Sequence, residues 1–291
     1  MTQVAAREST VQCLSPSGFH RMAYSEWGDA DNPNVLICAH GLTRVGRDFA
    51  RLAHALLDRY RVVLPDVVGR GRSAWLRDPN AYVLPQYAND MVTLIARLNV
   101  ESVHWLGTSL GGLIGLALAG QPDSPVTRLV LNDVGPRVNP EAIARIGEYV
   151  GKPVRFANVE EAVDYVTLIS LGFGLRNRDE WREITQSVVK ADGGAFTMHY
   201  DAKLALPIKA MTPQVAQASE AALWNLYDQI RCPTLLIRGE KSDLLSRETA
   251  AAMTQRGPRA QLVEFAGIGH APMFIDPAQI DIVRRFLLSE G

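Results

Sequence analysis

Long apolar runs are missing from this chain. No stretch reaches the length needed to span a bilayer, and the segment Met1-Thr2-Gln3-Val4-Ala5-Ala6-Arg7-Glu8 has no apolar core of the kind a secretory signal carries. An excess of one charge is missing as well. The 30 Lys and Arg nearly cancel the 31 Asp and Glu, leaving a net charge of −1, so no field favours nucleic acid or an anionic membrane as partner. Cysteine is sparse: Cys13, Cys38 and Cys232 lie far apart in or beside apolar runs, make no C-x-x-C spacing, and their odd number suits a reducing compartment. No His/Cys/Asp/Glu cluster has metal-ligand spacing and no G-x-G-x-x-G follows a strand, so neither metal nor dinucleotide cofactor is expected. These absences point to a soluble cytoplasmic protein whose partner is a small molecule. They leave its oligomeric state open.

What is present is apolar sequence in short, regular doses. Of 291 residues 47 % are hydrophobic, enough for a sizeable core. β-Branched runs at 34–39, 61–64, 102–106 and 128–131 alternate with helical periodicities at 48–57, 87–98 and 110–119. Strand and helix in turn imply crossover units and a parallel sheet. The alternation stops at Asn132-Asp133-Val134-Gly135-Pro136. From about 137 to 224 only helical patterns (142–149, 159–170, 178–189) are legible, without a convincing strand. Alternation then resumes with strands at 234–237 and 261–265 and helices at 247–254 and 279–288. The expected organisation is an α/β core formed by 1–136 and 226–291, with a helical cap at 137–225 inserted after the sixth strand.

Gly107-Thr108-Ser109-Leu110-Gly111 stands between the strand at 102–106 and the helix from Leu110. A serine between two glycines at such a corner reads as a nucleophile elbow, which lifts the hydroxyl clear of the sheet. Serine is a poor nucleophile at neutral pH and needs a base, with a third group fixing the base's tautomer. Downstream come Asp243 and then His270, the Ser…Asp…His order of one triad architecture. His270, after the last strand in the loop Ala266-Gly267-Ile268-Gly269, is the expected base. By position, His54 and His104 read as ordinary face or strand histidines, His20 precedes the sheet, and His199 lies in the cap, within range of substrate.

With Ala39-His40-Gly41-Leu42, Asp66-Val67-Val68-Gly69-Arg70-Gly71-Arg72-Ser73, Gly239-Glu240-Lys241-Ser242-Asp243 and Gly269-His270-Ala271-Pro272, the chain resembles an α/β-hydrolase-fold enzyme with a helical cap. The resemblance covers nearly its whole length. It implies a mostly parallel sheet with helices on both faces, a Ser109–His270–Asp243 triad, and an oxyanion hole from the backbone N–H groups of Leu42 and Leu110. The loop before Asp243 is one residue longer than the commonest form of that motif. Asp133, at the end of the strand after the elbow helix, is the alternative acid, with a structural turn as its other reading. The His40 loop departs from the frequent His-Gly-x-Pro form and continues Thr43-Arg44; Arg44 reads as steering an anionic substrate group or, in preference, as solvated or in a structural ion pair, and Asp66 to Ser73 reads as a structural turn. The cap aromatics Phe156, Tyr165, Phe173, Trp181 and Trp224 are candidates to line a pocket, or simply the cap's own core.

The expected activity is hydrolysis of small to medium carboxylic esters through an acyl-enzyme, without cofactor. Enol-lactone hydrolases, carbon–carbon bond hydrolases and cofactor-free haloperoxidases share the same triad and remain open. A serine at the elbow argues against the alkyl-ester chemistry of epoxide hydrolases and haloalkane dehalogenases, which use aspartate. A non-catalytic receptor on the same scaffold is the competing class, its mark an incomplete triad.

Overall fold

The computed structural model describes residues 6–289, so the first five residues of the polar N-terminal segment lie outside it. The chain opens with an antiparallel hairpin, β1 (Arg7–Ser15) and β2 (Gly18–Trp27), followed by β3 (Val35–Ala39), α1 (Ala50–Leu56) and β4 (Arg61–Pro65). Next come α2 (Leu84–Leu98), β5 (Val103–Thr108), α3 (Leu110–Ala119) and β6 (Val126–Asn132). After the intervening segment four more core elements follow, β9 (Thr234–Gly239), α9 (Arg247–Met253), β10 (Gln261–Phe265) and α10 (Pro277–Leu288), preceded by a long helix described below. The eight strands pair in the order β1-β2-β4-β3-β5-β6-β9-β10. All neighbours from β4 to β10 are parallel, and β2 pairs antiparallel with both β1 and β4. This is the α/β-hydrolase architecture.

The central strands read as continuous apolar runs because both of their faces are covered. Leu36, Cys38, Leu64 and Leu106 meet Leu52 and Leu56 of α1 and Ile280, Val283 and Leu287 of α10 on one face. Val35, Ile37, Trp105 and Leu131 meet Met91 and Leu94 of α2, Ile114 and Leu118 of α3, and Met253 of α9 on the other. The N-terminal hairpin has no such signature. Exposed and buried residues alternate along the second half of β1, while β2 is buried from Met22 to Glu26 through a mixed run of Met, Ala, Tyr, Ser and Glu, so neither strand shows as an apolar run in the sequence, and His20 lies within the sheet on β2 rather than before it.

Between β6 and β9 the chain leaves the sheet. The helices α4 (Pro140–Tyr149), α5 (Val159–Ile169) and α6 (Arg178–Val188) each start on an asparagine, Asn139, Asn158 and Asn177, whose side chain accepts a first-turn N–H. Contrary to the strandless reading, a small hairpin follows: β7 (Val189–Asp192) and β8 (Ala195–Met198). Gly193 and Gly194 turn it with φ of 54° and 80°, the left-handed pair that a two-residue hairpin loop requires. After α7 (Ala205–Lys209), the helix α8 (Pro213–Gln229) runs unbroken through 225, so the expected junction falls inside a helix. Its Leu226 carbonyl lies against Gly120 at the end of α3. Among the described residues no helix is long and apolar enough to cross a membrane.

The corner from β5 into α3 is the tightest place in the fold. A Cβ on Gly107 would stand 2.1 Å from the Gly111 carbonyl oxygen, and one on Gly111 would stand 2.0 Å from that of Ala39. Both obstacles are backbone and cannot rotate away. Gly111→Ala is therefore expected to cost about 3 kcal/mol or more. Urea unfolding measures it, and a loss below about 0.5 kcal/mol would contradict this account of the corner.

Candidate active site

Ser109 sits between β5 and α3 with φ 51° and ψ −115°, a strained conformation for a residue with a side chain. Its amide donates to Asn132 O (3.0 Å), so the end of β6 pins the corner. His270 follows β10, and its Nε2 lies 3.1 Å from Ser109 Oγ. Its Nδ1 lies 2.8 Å from Asp133 Oδ2. Asp133 is fully buried directly after β6. Its Oδ1 accepts from the Gly239 amide (2.9 Å), and its Oδ2 also accepts from Ser242 Oγ (2.7 Å). An ionised carboxylate only accepts, so Nδ1 carries the imidazole proton and Nε2 presents its lone pair to the serine hydroxyl. Ser109, His270 and Asp133 are thus connected in line.

A model of the α/β hydrolase fold matches residues 34–277. The chain belongs to that family. It is also 56 % identical, over 95 % of its length and 96 % of the relative's, to a 3-hydroxybutyrate-oligomer hydrolase of Cupriavidus necator. An alpha/beta hydrolase from Novosphingobium aromaticivorans of known structure superposes with a TM-score of 0.85 at 35 % identity, covering 98 % of this chain and 99 % of its own. An esterase from Mycobacterium tuberculosis, with a TM-score of 0.70, 23 % identity and coverage of 98 % and 92 %, shares the fold. The protein is an enzyme, a hydrolase of the α/β fold.

Within this family framework the expected acid needs correction. Asp243 does not reach His270: it is exposed on the loop after β9 and pairs with Arg145 of α4, Oδ2 lying 2.7 Å from Nη2 and 2.9 Å from Nε. The residue that this loop turns inward is Ser242. The longer loop shifts the carboxylate one position beyond the site, and the alternative, Asp133, occupies the place beside the imidazole.

Of the two residues expected as oxyanion donors, Leu110 directly follows Ser109 and Leu42 lines the same cleft as Ser109. Leu110 opens α3, where a helix leaves its first amides without intrahelical acceptors. The Leu42 loop is held from beneath. Arg70, wholly buried, donates from Nε to Leu42 O (2.7 Å) and from Nη1 to Val68 O (2.6 Å), with its guanidinium over the ring of Tyr87. His40 Nε2 accepts from the Val67 amide (2.9 Å), which places the proton on Nδ1 for donation to Gly41 O (2.7 Å). Burial pushes the His40 pKa down to about 3. Asp66 braces the Asp66–Ser73 turn by accepting from the amides of Gly46 and Arg72, the structural role expected of it.

A cleft opens above Ser109, walled by Leu42, Ile146, Tyr149, Val166, Ile169 and Phe173 among others. Of the five expected aromatics only Phe173 reaches it. Trp181 stacks behind Phe173, Phe156 packs on Tyr165, and Trp224 packs on Tyr227. Arg44 is the structural ion pair anticipated, with Asp48 at 2.6 Å. His199 does not line the cleft, and His104 bonds to Tyr60 OH (2.9 Å). One buried group, Cys13, His20 and Asp90, offers three ligand atoms within 4.8 Å of one another. Its members are dispersed along the chain, so spacing could not reveal it. Asp90 already accepts from His20 Nε2 (2.9 Å) and Gln86 Nε2 (2.7 Å), burial pushes the Cys13 thiol up to about 12, and His20 Nδ1 is buried without a hydrogen-bond partner among the described residues.

His40 generates a pH prediction. Its pKa falls from 6.5 to about 3 on folding, so between these values the unfolded chain binds a proton that the folded chain refuses. Stability is lost as pH falls through that window, by up to about 1.4 kcal/mol per pH unit. In His40→Gln, where the amide oxygen can still accept from Val67, the variant should be less stable at pH 7 and its urea midpoint should fall less steeply between pH 6 and 4. An unchanged slope would contradict a neutral buried His40.

Proposed function

We propose that this hydrolase cleaves carboxylic esters through an acyl-enzyme formed on Ser109, and that short oligomers of 3-hydroxybutyrate are its substrates. The in-line arrangement of Ser109, His270 and Asp133 carries the chemical part of this reading. The 56 % identity to the 3-hydroxybutyrate-oligomer hydrolase, over nearly the whole of both chains, supports the substrate class.

In the proposed reaction Ser109 Oγ attacks the ester carbonyl while His270 Nε2 takes its proton. Asp133 stabilises the resulting imidazolium. The amides of Leu42 and Leu110 hold the oxyanion, aimed before the reaction so that no reorganisation is needed as charge develops. Collapse expels the alcohol, which receives the proton from His270. Water then attacks the acyl carbon while giving a proton to the same nitrogen, and as the bond to Ser109 Oγ breaks, releasing the acid product, His270 returns that proton to Oγ. Residues 137–212, outside the sheet and over the cleft, act as the cap, with the substrate's methyl-bearing repeats against Ile146, Val166 and Phe173.

The experiment is a comparison of Ser109→Ala, Asp133→Asn and Asp243→Asn on p-nitrophenyl butyrate and on the 3-hydroxybutyrate dimer. The first two should lose about 10⁴-fold or more in kcat. Asp243→Asn should stay within about threefold, because an exposed ion pair contributes little. Full activity in Asp133→Asn, with loss in Asp243→Asn, would reverse the assignment. Turnover of simple esters with none of the dimer would remove the substrate class.

A further inference from the structure

Three fixed charges stand on the wall of the cleft: Arg44, Asp48 and Arg145. Two of them cancel. Arg44 gives Nε to Asp48 Oδ2 (2.6 Å) and Nη2 to Asp48 Oδ1 (2.8 Å) and to Ile184 O (3.0 Å), and both side chains are nearly buried. Arg145 is different in kind. Its partner Asp243 is not part of the cleft wall, both side chains are close to half exposed, and a single carboxylate oxygen serves both Nε and Nη2. Nη1 bonds no protein acceptor among the described residues. An exposed pair of this sort is weakly held and readily exchanged. With Arg44 and Asp48 cancelling each other, Arg145 therefore brings to the wall a cation whose fork fits a carboxylate and whose present partner is replaceable.

An oligoester of a hydroxy acid has one hydroxyl end and one carboxylate end. The geometry points to Arg145 as the residue that binds the free carboxylate terminus of the substrate, with Asp243 as the internal carboxylate that this terminus displaces. The inference rests on the oligoester reading above and adds a selection rule to it: acid-terminated short oligoesters are preferred to the same molecules with a neutral end. Arg145 is a specificity residue here, and takes no part in bond making or breaking.

The test compares hydrolysis of the internal ester in the 3-hydroxybutyrate dimer as free acid and as terminal N-methylamide, for wild type, Arg145→Gln and Asp243→Asn. Wild type should favour the acid in kcat/KM by about tenfold or more. In Arg145→Gln that acid-to-amide ratio should fall about tenfold, through KM of the acid. In Asp243→Asn it should rise severalfold, since the competing carboxylate is gone. Opposite movement of the two variants is the decisive readout, because an ion pair that only steadied the fold would make both variants shift alike. Equal wild-type efficiency on acid and amide, an unchanged ratio in Arg145→Gln, or a common direction in both variants overturns the inference while leaving the oligoester reading intact. Failure of wild type to cleave either dimer, with p-nitrophenyl butyrate still turned over, removes both.

Discussion

The carboxylate of Asp133 is wholly buried, and an ionised group taken from water is tolerated only where donors replace the lost hydration. Three donors do so, each from a different place in the chain: the Gly239 amide at the end of β9, the Ser242 hydroxyl in the loop beyond it, and His270 Nδ1 after β10. The demand of one buried charge thus draws the last third of the sequence onto the end of β6. Strand register makes this possible. Thr108 of β5 faces Asn132 of β6, which faces Ile237 of β9, so Ser109 and Asp133 leave the sheet side by side at the spacing of adjacent strands, about 4.8 Å. Asn132 reinforces the junction, its Nδ2 donating to Thr108 Oγ1 (2.9 Å) and to Pro272 O (2.8 Å).

The segment outside the sheet is tied to this edge at the points where its position matters. The Gly269 amide, next to the histidine, donates to Gly172 O (2.7 Å), and a Cβ on Gly172 would come within 3.0 Å of the His270 amide nitrogen. On the far wall Arg44 holds the carbonyl of Ile184, and Ser187 Oγ reaches Asp48 (3.1 Å). The cleft is therefore framed by hydrogen bonds that begin on the loops beside Ser109 and His270. A change in how the outer helices sit is felt at the imidazole through backbone contacts, without any need for a long-range network.

Much of this was legible from residue order. Strands buried on both faces are short apolar runs, and amphipathic helices betray themselves by period, so most elements from β3 to α3 and from β9 to α10 follow from sequence with ends shifted by a few residues. The elbow is legible because glycines at 107 and 111 have a steric cause. What escaped is what depends on partners distant in sequence. The β1–β2 hairpin is half exposed and lacks an apolar run, β7–β8 is stabilised by its own two-glycine turn and its contact with Phe156, and α8 lacks a sharp apolar face. The cluster of Cys13, His20 and Asp90 joins β1, β2 and α2, and nothing in its spacing announces it.

The acid shows most clearly where sequence reasoning runs out. Asp133 and Asp243 both follow strands whose ends flank the same notch, so placement after a strand treats them alike. Donors are what separate them. Asp133 has three that reach a buried oxygen, whereas Asp243 has an exposed arginine. The one-residue offset of the β9 loop is what brings Ser242, with a hydroxyl to donate, against Asp133. A carboxylate at 242 would meet that of Asp133 over one imidazole, and two like charges at such a distance cannot both stay ionised. A serine at 242 and a buried aspartate at 133 therefore belong together: each is compatible with the histidine only because the other has the character it has, and this leaves the carboxylate at 243 to pair with Arg145 of α4.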